Sequence, residues 1–127
     1  MRKQRHNRED LEACPMEATL DLIGGKWKGV ILFRLSQRMY RFNELNRMVC
    51  QITPRSLTKQ LRELEADGLV HRKVYAEVPP RVEYTLTDKG RSLTPILTMM
   101  KAWGETFVLG RKSPATSHAE DAALTSM

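Results

Sequence analysis

Ile52-Thr53-Pro54-Arg55-Ser56-Leu57-Thr58-Lys59-Gln60-Leu61-Arg62-Glu63-Leu64-Glu65-Ala66-Asp67-Gly68 is the stretch on which the fold turns. Thr53 is an N-cap residue type, and Pro54 suits the first helical position, where a missing N–H costs nothing. Gly68 is the residue type expected just past a helix C-terminus. Leu57, Leu61 and Leu64 recur at i, i+4 and i+7 and make one apolar stripe. Arg55, Ser56, Lys59 and Arg62 fall on other faces and bring guanidinium, ammonium and hydroxyl donors. Two readings fit the stretch alone. One is a surface helix with a solvated charged face. The other is a helix that lies in the DNA major groove with its early residues at base edges. The flanking segments decide between them.

Upstream, residues 1–8 carry Arg2, Lys3, Arg5 and Arg8 and no acid. This basic arm is either a solvated tail or a non-specific phosphate or minor-groove contact. Residues 9–13 allow a short helical turn. Cys14 then reads as an N-cap, with Pro15 first in a helix and Glu17 third. Met16, Leu20 and Ile23 form its stripe, and Gly24-Gly25 stops it. A second helix is expected over residues 26–36, with Trp27, Val30, Ile31 and Leu35 inward. Trp27 at helical spacing reads as core. Residues 39–41 allow a very short strand, and residues 42–49 a third helix on Phe42, Leu45 and Val49. Only Cys50, Gln51 and Ile52 separate it from the opening stretch. Two short helices across so tight a link, the second one basic, make a helix-turn-helix.

Downstream, the period changes. Residues 69–75 are rich in strand formers. Val78-Pro79-Pro80 interrupts them, and Val82, Tyr84 and Leu86 then alternate with Arg81, Glu83 and Thr85. The result is a hairpin with a proline-stiffened tip that carries Arg81. A basic hairpin after a basic helix is a wing, placed to reach a phosphate or the minor groove. Thr87 caps the next helix. Leu93, Ile96, Leu97, Met100, Trp103 and Phe107 form a long apolar stripe, and Pro95 within it predicts a kink or a split. So apolar a terminal helix on a small domain is most simply explained by self-association. A two-fold dimer would set two recognition helices roughly 34 Å apart, one duplex turn. From residue 112 the chain is polar and small-sided, as a disordered tail would be. The expected fold class is α+β, mostly α: a winged helix-turn-helix over residues 9–111 with flanking N- and C-terminal dimerisation helices.

Composition narrows the function. The chain has 127 residues, enough for one modest core. A net charge of +6 and a pI near 9.6 favour a polyanionic partner. No apolar run approaches the roughly 20 residues that span a bilayer, and no signal peptide is evident, so a cytoplasmic protein is expected. Two cysteines are too few for a disulfide scaffold. His6, His71 and His118 are scattered, and no Cys/His spacing suggests a metal site. No cofactor is expected. Nothing pairs a nucleophile with a base and an orienting group, which counts against an enzyme.

Several motifs occur together in order: Cys14-Pro15-Met16-Glu17-Ala18-Thr19-Leu20, Ile23-Gly24-Gly25-Lys26-Trp27-Lys28, Arg41-Phe42-Asn43-Glu44-Leu45, the run from Leu57 to Val70, Val78-Pro79-Pro80-Arg81-Val82-Glu83-Tyr84 and Leu86-Thr87-Asp88-Lys89-Gly90. In these the chain resembles the HxlR-type helix-turn-helix transcription regulators, relatives of the MarR regulators, over residues 10 to 105. The resemblance implies a winged helix and a bacterial homodimer on palindromic, double-stranded operator DNA. It also implies a response to oxidants or electrophiles through a cysteine near the N-terminus, a position matched by Cys14.

The residues support a redox role for Cys14 on their own. A thiol at a helix N-cap meets the positive end of the dipole, which favours thiolate, the species that attacks oxidants and electrophiles. Glu17 competes for the same terminus. The other reading of Cys14 is a small buried hydrophobe. Cys50 is either a turn filler or the partner of Cys14 in an intersubunit disulfide, and its place before the recognition helix motivates the second reading.

The leading expectation is therefore a DNA-binding regulator. Arg55, Ser56 and Lys59 would contact bases or nearby phosphates, Thr53 and Arg62 the backbone, and Arg81 would serve the wing. Two other readings stay open: a ligand-gated repressor without thiol sensing, and a winged-helix protein-interaction module.

Overall fold

The stretch from Ile52 to Gly68 folds as foreseen, with Thr53 as N-cap and Pro54 first in the helix. In the computed structural model, residues 14–111 are described. The basic arm, the turn expected over residues 9–13 and the tail from residue 112 lie outside the described residues. The chain divides between Ser92 and Leu93 into two units.

The first unit holds α1 (Pro15–Ile23), α2 (Lys28–Gln37), β1 (Tyr40–Arg41), α3 (Phe42–Met48), α4 (Pro54–Ala66), β2 (Val70–Tyr75), β3 (Arg81–Leu86) and α5 (Asp88–Arg91). The three strands form one antiparallel sheet in the order β1-β3-β2. In β2 and β3, Val70 pairs with Leu86 and Tyr75 with Arg81, which fixes the hairpin register. The helices α2 and α3 pack against β3, and α4 packs against β2.

The core lies between these layers. Leu57, Leu61 and Leu64 of α4 are at most 2% exposed, as are Ile31 and Leu32 of α2 and Leu45 of α3. Burying each such side chain contributes about 2 kcal/mol, so the apolar stripe alone seats the helix. Thr53 Oγ1 accepts from the Ser56 amide at 3.0 Å, satisfying one of the free N–H groups of the first turn. At the other end Gly68 takes φ +78°, a backbone region that a Cβ disfavours. Thr87 then ties the C-terminal end of α4 to the sheet. Its hydroxyl donates to the Gly68 carbonyl at 2.6 Å and accepts from the Gly90 amide.

Two expectations need correction here. The second helix begins at Lys28 rather than residue 26, and Trp27 occupies its N-cap. Its buried face is Lys28, Ile31, Leu32 and Leu35, at i, i+3, i+4 and i+7. Val30, expected inward, is 44% exposed. A polar residue at position 28 hid the true phase: Lys28 is buried because it has an ionic partner, and the sequence pattern could not register that. In α1 only Ile23 is covered, while Met16 and Leu20 of the expected stripe are exposed. The helix lays only its last turn on this core.

The second unit contains α6 (Thr94–Phe107). Its proline lies in the first turn, as the split predicted at Pro95 requires. A continuous helix from α5 would set the proline ring against the carbonyl four residues earlier, and so the chain breaks. Ile96, Met99, Met100, Trp103 and Phe107 of α6 are all exposed. Trp103 and Phe107 stack with centroids 5.3 Å apart.

Candidate nucleic-acid interface

α3, the link through Ile52 and α4 form the helix-turn-helix. The link is short because Gln51 adopts φ +67° and reverses the chain in place. Val49 and Ile52 on either side of Cys50 and Gln51 are buried, which holds the turn down. Cys50 itself is exposed.

On α4 the cations follow the same spacing as the leucines. Arg55, Lys59 and Arg62 also recur at i, i+4 and i+7, displaced by two residues. At about 100° per residue that displacement is about 200°, so the cations stand opposite the buried stripe. All three are exposed. With Thr58 and Glu63 they line one shallow concavity of about 510 Å³. Among the described residues, none of the three forms an ion pair. Thr53 and Ser56 sit at the helix start, engaged with each other through the cap. Ser56 is half-buried on the flank of the cationic face.

Two glutamates of the same helix are handled differently. Glu65 reaches towards β2 and pairs with Arg72 at 3.3 Å. Glu63 reaches towards α2 and pairs with the buried ammonium of Lys28. Beside Glu65, a smaller hollow of about 200 Å³ is lined by Thr58, Leu61, Arg62, Arg72 and Tyr84. Arg62 therefore borders both hollows and joins the face of α4 to the wing strand. Burial pushes the Tyr84 phenol above its usual pKa, with Arg72 and Arg62 pulling it down and Glu65 pushing it up.

Arg81 is not gathered with this group. It opens β3, where Glu77 and Glu83 approach its guanidinium at 3.3 and 3.6 Å and the Tyr75 ring lies beneath it. It borders a different concavity, between the wing turn and α3, together with Arg41 and Arg47. At the start of α3 the Arg41 amide donates to Glu44 at 2.8 Å, and this bond, with Arg38 and Arg41 nearby, holds the Glu44 carboxyl below its usual pKa.

Lys28, Arg72, Arg41 and Arg47 escaped the sequence reading. For Arg72 a signal existed, since alternation along β2 sets it on the face of Tyr84, its partner in register. For Lys28 there was none, because its partner lies 35 residues away.

A helix-turn-helix with an unpaired cationic face and a two-stranded wing is the architecture of a DNA-binding regulator. The model of the HxlR-like helix-turn-helix family matches residues 22–112. The chain belongs to the HxlR-like helix-turn-helix family. It is a DNA-binding transcription regulator with the winged-helix fold of MarR-like proteins, and not an enzyme. The HTH-type transcriptional regulator YdeP of Bacillus subtilis (strain 168) is 54% identical over 102 residues, 80% of each chain. Among solved structures, the redox regulator HypR in its oxidized form is 59% identical, with a TM-score of 0.71, covering 73% of this chain and 96% of HypR. A MarR-family regulator from Porphyromonas gingivalis W83 is 36% identical with a TM-score of 0.72, over 76% of this chain and 94% of its own. Among the described residues, no helix is long and apolar enough to cross a membrane.

Proposed function

We propose that this HxlR-family chain is one protomer of a homodimeric regulator that reads palindromic operator DNA through α4 and is switched by thiol chemistry. The observation that carries the DNA contact is the face of Arg55, Lys59 and Arg62, exposed and without an acidic partner among the described residues. Arg55, Ser56 and Lys59 contact bases or nearby phosphates. Thr53 and Arg62 contact the backbone, and Arg81 serves the wing by shaping it. The winged-helix domain spans residues 9–111, between the basic arm and the tail.

Two further observations support the finer parts. The exposed Met99, Met100, Trp103 and Phe107 of α6 form an apolar patch of the kind that a second copy covers. The free thiols are a half-buried Cys14 at the α1 N-cap and an exposed Cys50 at the turn before α4. The similarity to HypR, a redox regulator by name, fits a switch that uses them. An oxidant such as diamide accepts two electrons while Cys14 of one protomer and Cys50 of the other lose two protons and form one S–S bond. The bond is anchored three residues before Thr53, so it acts on the base of α4.

The test is a gel shift on the DNA upstream of the protein's own gene, with and without diamide, beside a non-reducing gel. A covalent dimer that Cys14→Ser or Cys50→Ser abolishes is expected, with a change in DNA affinity. A wild type that stays monomeric after diamide would sink the disulfide. A Cys14→Ser variant that remains inducible would assign the switch to a ligand instead.

A further inference from the structure

We infer that Lys28 is a positioning residue for DNA recognition: from inside the core it holds Glu63, and so sets the cationic face of α4. This rests on the DNA-binding role of α4.

Lys28 is 5% exposed, whereas a lysine side chain almost always keeps its ammonium in water. Burial of such a charge is tolerated only beside a counter-charge. Glu63 supplies it, with its carboxylate oxygen hydrogen-bonded to the ammonium. Glu63 is also the one acid lining the concavity of Arg55, Lys59 and Arg62. Left free, that carboxylate would stand among the groups that meet phosphate and would repel it. Paired with Lys28, its charge is offset, and the face stays cationic overall.

The pair has a second consequence. On α4, Glu63 and Glu65 lie two residues apart, on opposite flanks of the helix. Glu65 is tied to Arg72 on β2 and Glu63 to Lys28 on α2. The two ties resist rotation of α4 about its axis in either direction. The leucine stripe alone would allow some rotation, because apolar contacts are not directional. The exposed tie to Arg72 is the weaker one. The buried Lys28 bond therefore sets the angle at which Arg55 and Lys59 meet base edges.

The experiment uses the full chain in four forms: wild type, Lys28→Met, Glu63→Gln and the double variant. Competition binding compares operator-containing upstream DNA with an unrelated duplex, corrected for the folded fraction from circular dichroism. Amide hydrogen exchange is read without DNA. Lys28→Met should lower affinity for the upstream DNA at least tenfold, and adding Glu63→Gln should recover most of that loss. Glu63→Gln alone should cut discrimination between the two duplexes at least fivefold, even though a negative charge has left the face. That last variant carries the DNA arm if Lys28→Met does not fold. In Glu63→Gln, exchange at residues 61–66 should quicken at least tenfold relative to β2 and β3.

Unchanged exchange overturns the anchor whatever the DNA result. Unchanged discrimination, or a double variant no better than Lys28→Met, overturns its role in recognition. If the wild type binds neither duplex, the DNA-binding role of α4 fails, while exchange still decides the anchor.

Discussion

Tyr75 and Arg81 face each other across the wing, paired in the β2–β3 register, with the guanidinium carbon 3.9 Å from the ring centroid. Glu77 and Glu83 complete the cluster at 3.3 and 3.6 Å. The cation that sequence reasoning aimed at DNA thus has three neighbours inside the hairpin. Its charge is largely balanced before any phosphate arrives.

This separates the cations by function. Lys59→Ala and Arg62→Ala should each lower the slope of log affinity against log salt by about 1, the value of one lost phosphate contact. Arg81→Ala should leave that slope nearly unchanged and instead quicken amide exchange in residues 76–78. A slope lowered by about 1 in Arg81→Ala would return this arginine to the DNA backbone.

Arg55 carries the base-reading prediction. It stands in the first turn of α4, on the exposed face. Arg55→Ala should cost about 1–3 kcal/mol of affinity for the operator and relax base preference at one position of each half-site. Selection of bound sequences from a randomised pool would show it. An unaltered selected sequence would mean that another face of α4 enters the groove.

The parts of the fold that follow a local period were legible. The cap at Thr53, the stripe through Leu64, the left-handed Gly68 and the alternating β3 each need only neighbouring residues. The break near Pro95 was also legible, since a proline ring and a missing N–H act within one turn. The site was legible only in part. Arg55, Lys59 and Arg62 share a face that helical spacing reveals. The state of each charge does not follow from spacing. Arg81 is balanced by Glu77 and Glu83 within the hairpin, and Lys28 is buried by a carboxylate on another helix. The Arg81 pairs are local but are made by the hairpin turn, which helical or alternating spacing does not report. The Lys28 pair depends on tertiary contact, so Val30 was assigned the place that Lys28 takes.

Gly90 gives a stability prediction. A Cβ built at this position would lie 2.2 Å from the Leu69 carbonyl oxygen, a backbone atom that cannot swing away. The close approach lets Thr87 reach both Gly68 and Gly90 and so fasten the end of α4. Gly90→Ala should destabilise the fold by at least about 1–3 kcal/mol, as overpacking in a tight core does. At roughly 4–8 °C per kcal/mol for a domain of this size, thermal unfolding should fall by at least about 5 °C. An unchanged melting temperature would show that α5 can move off the strand without cost.

Tyr84 adds a dependence on pH. Burial raises its pKa, so the folded state holds the phenol proton more tightly than the unfolded chain, whose tyrosine titrates near about 10. Its contribution to stability is complete below that pH and is lost as the pH rises through the higher folded value. Tyr84→Phe removes the proton and the penalty together. In urea unfolding from neutral pH upward, the wild type should lose stability above about pH 10 more steeply than Tyr84→Phe. The variant should also lack a late step in the phenolate absorbance titration. Arg72, first among the charges acting on this phenol, pulls its pKa down. Arg72→Ala should therefore move that late step to still higher pH. Parallel stability curves for wild type and Tyr84→Phe would show that the phenol escapes to solvent before it ionises.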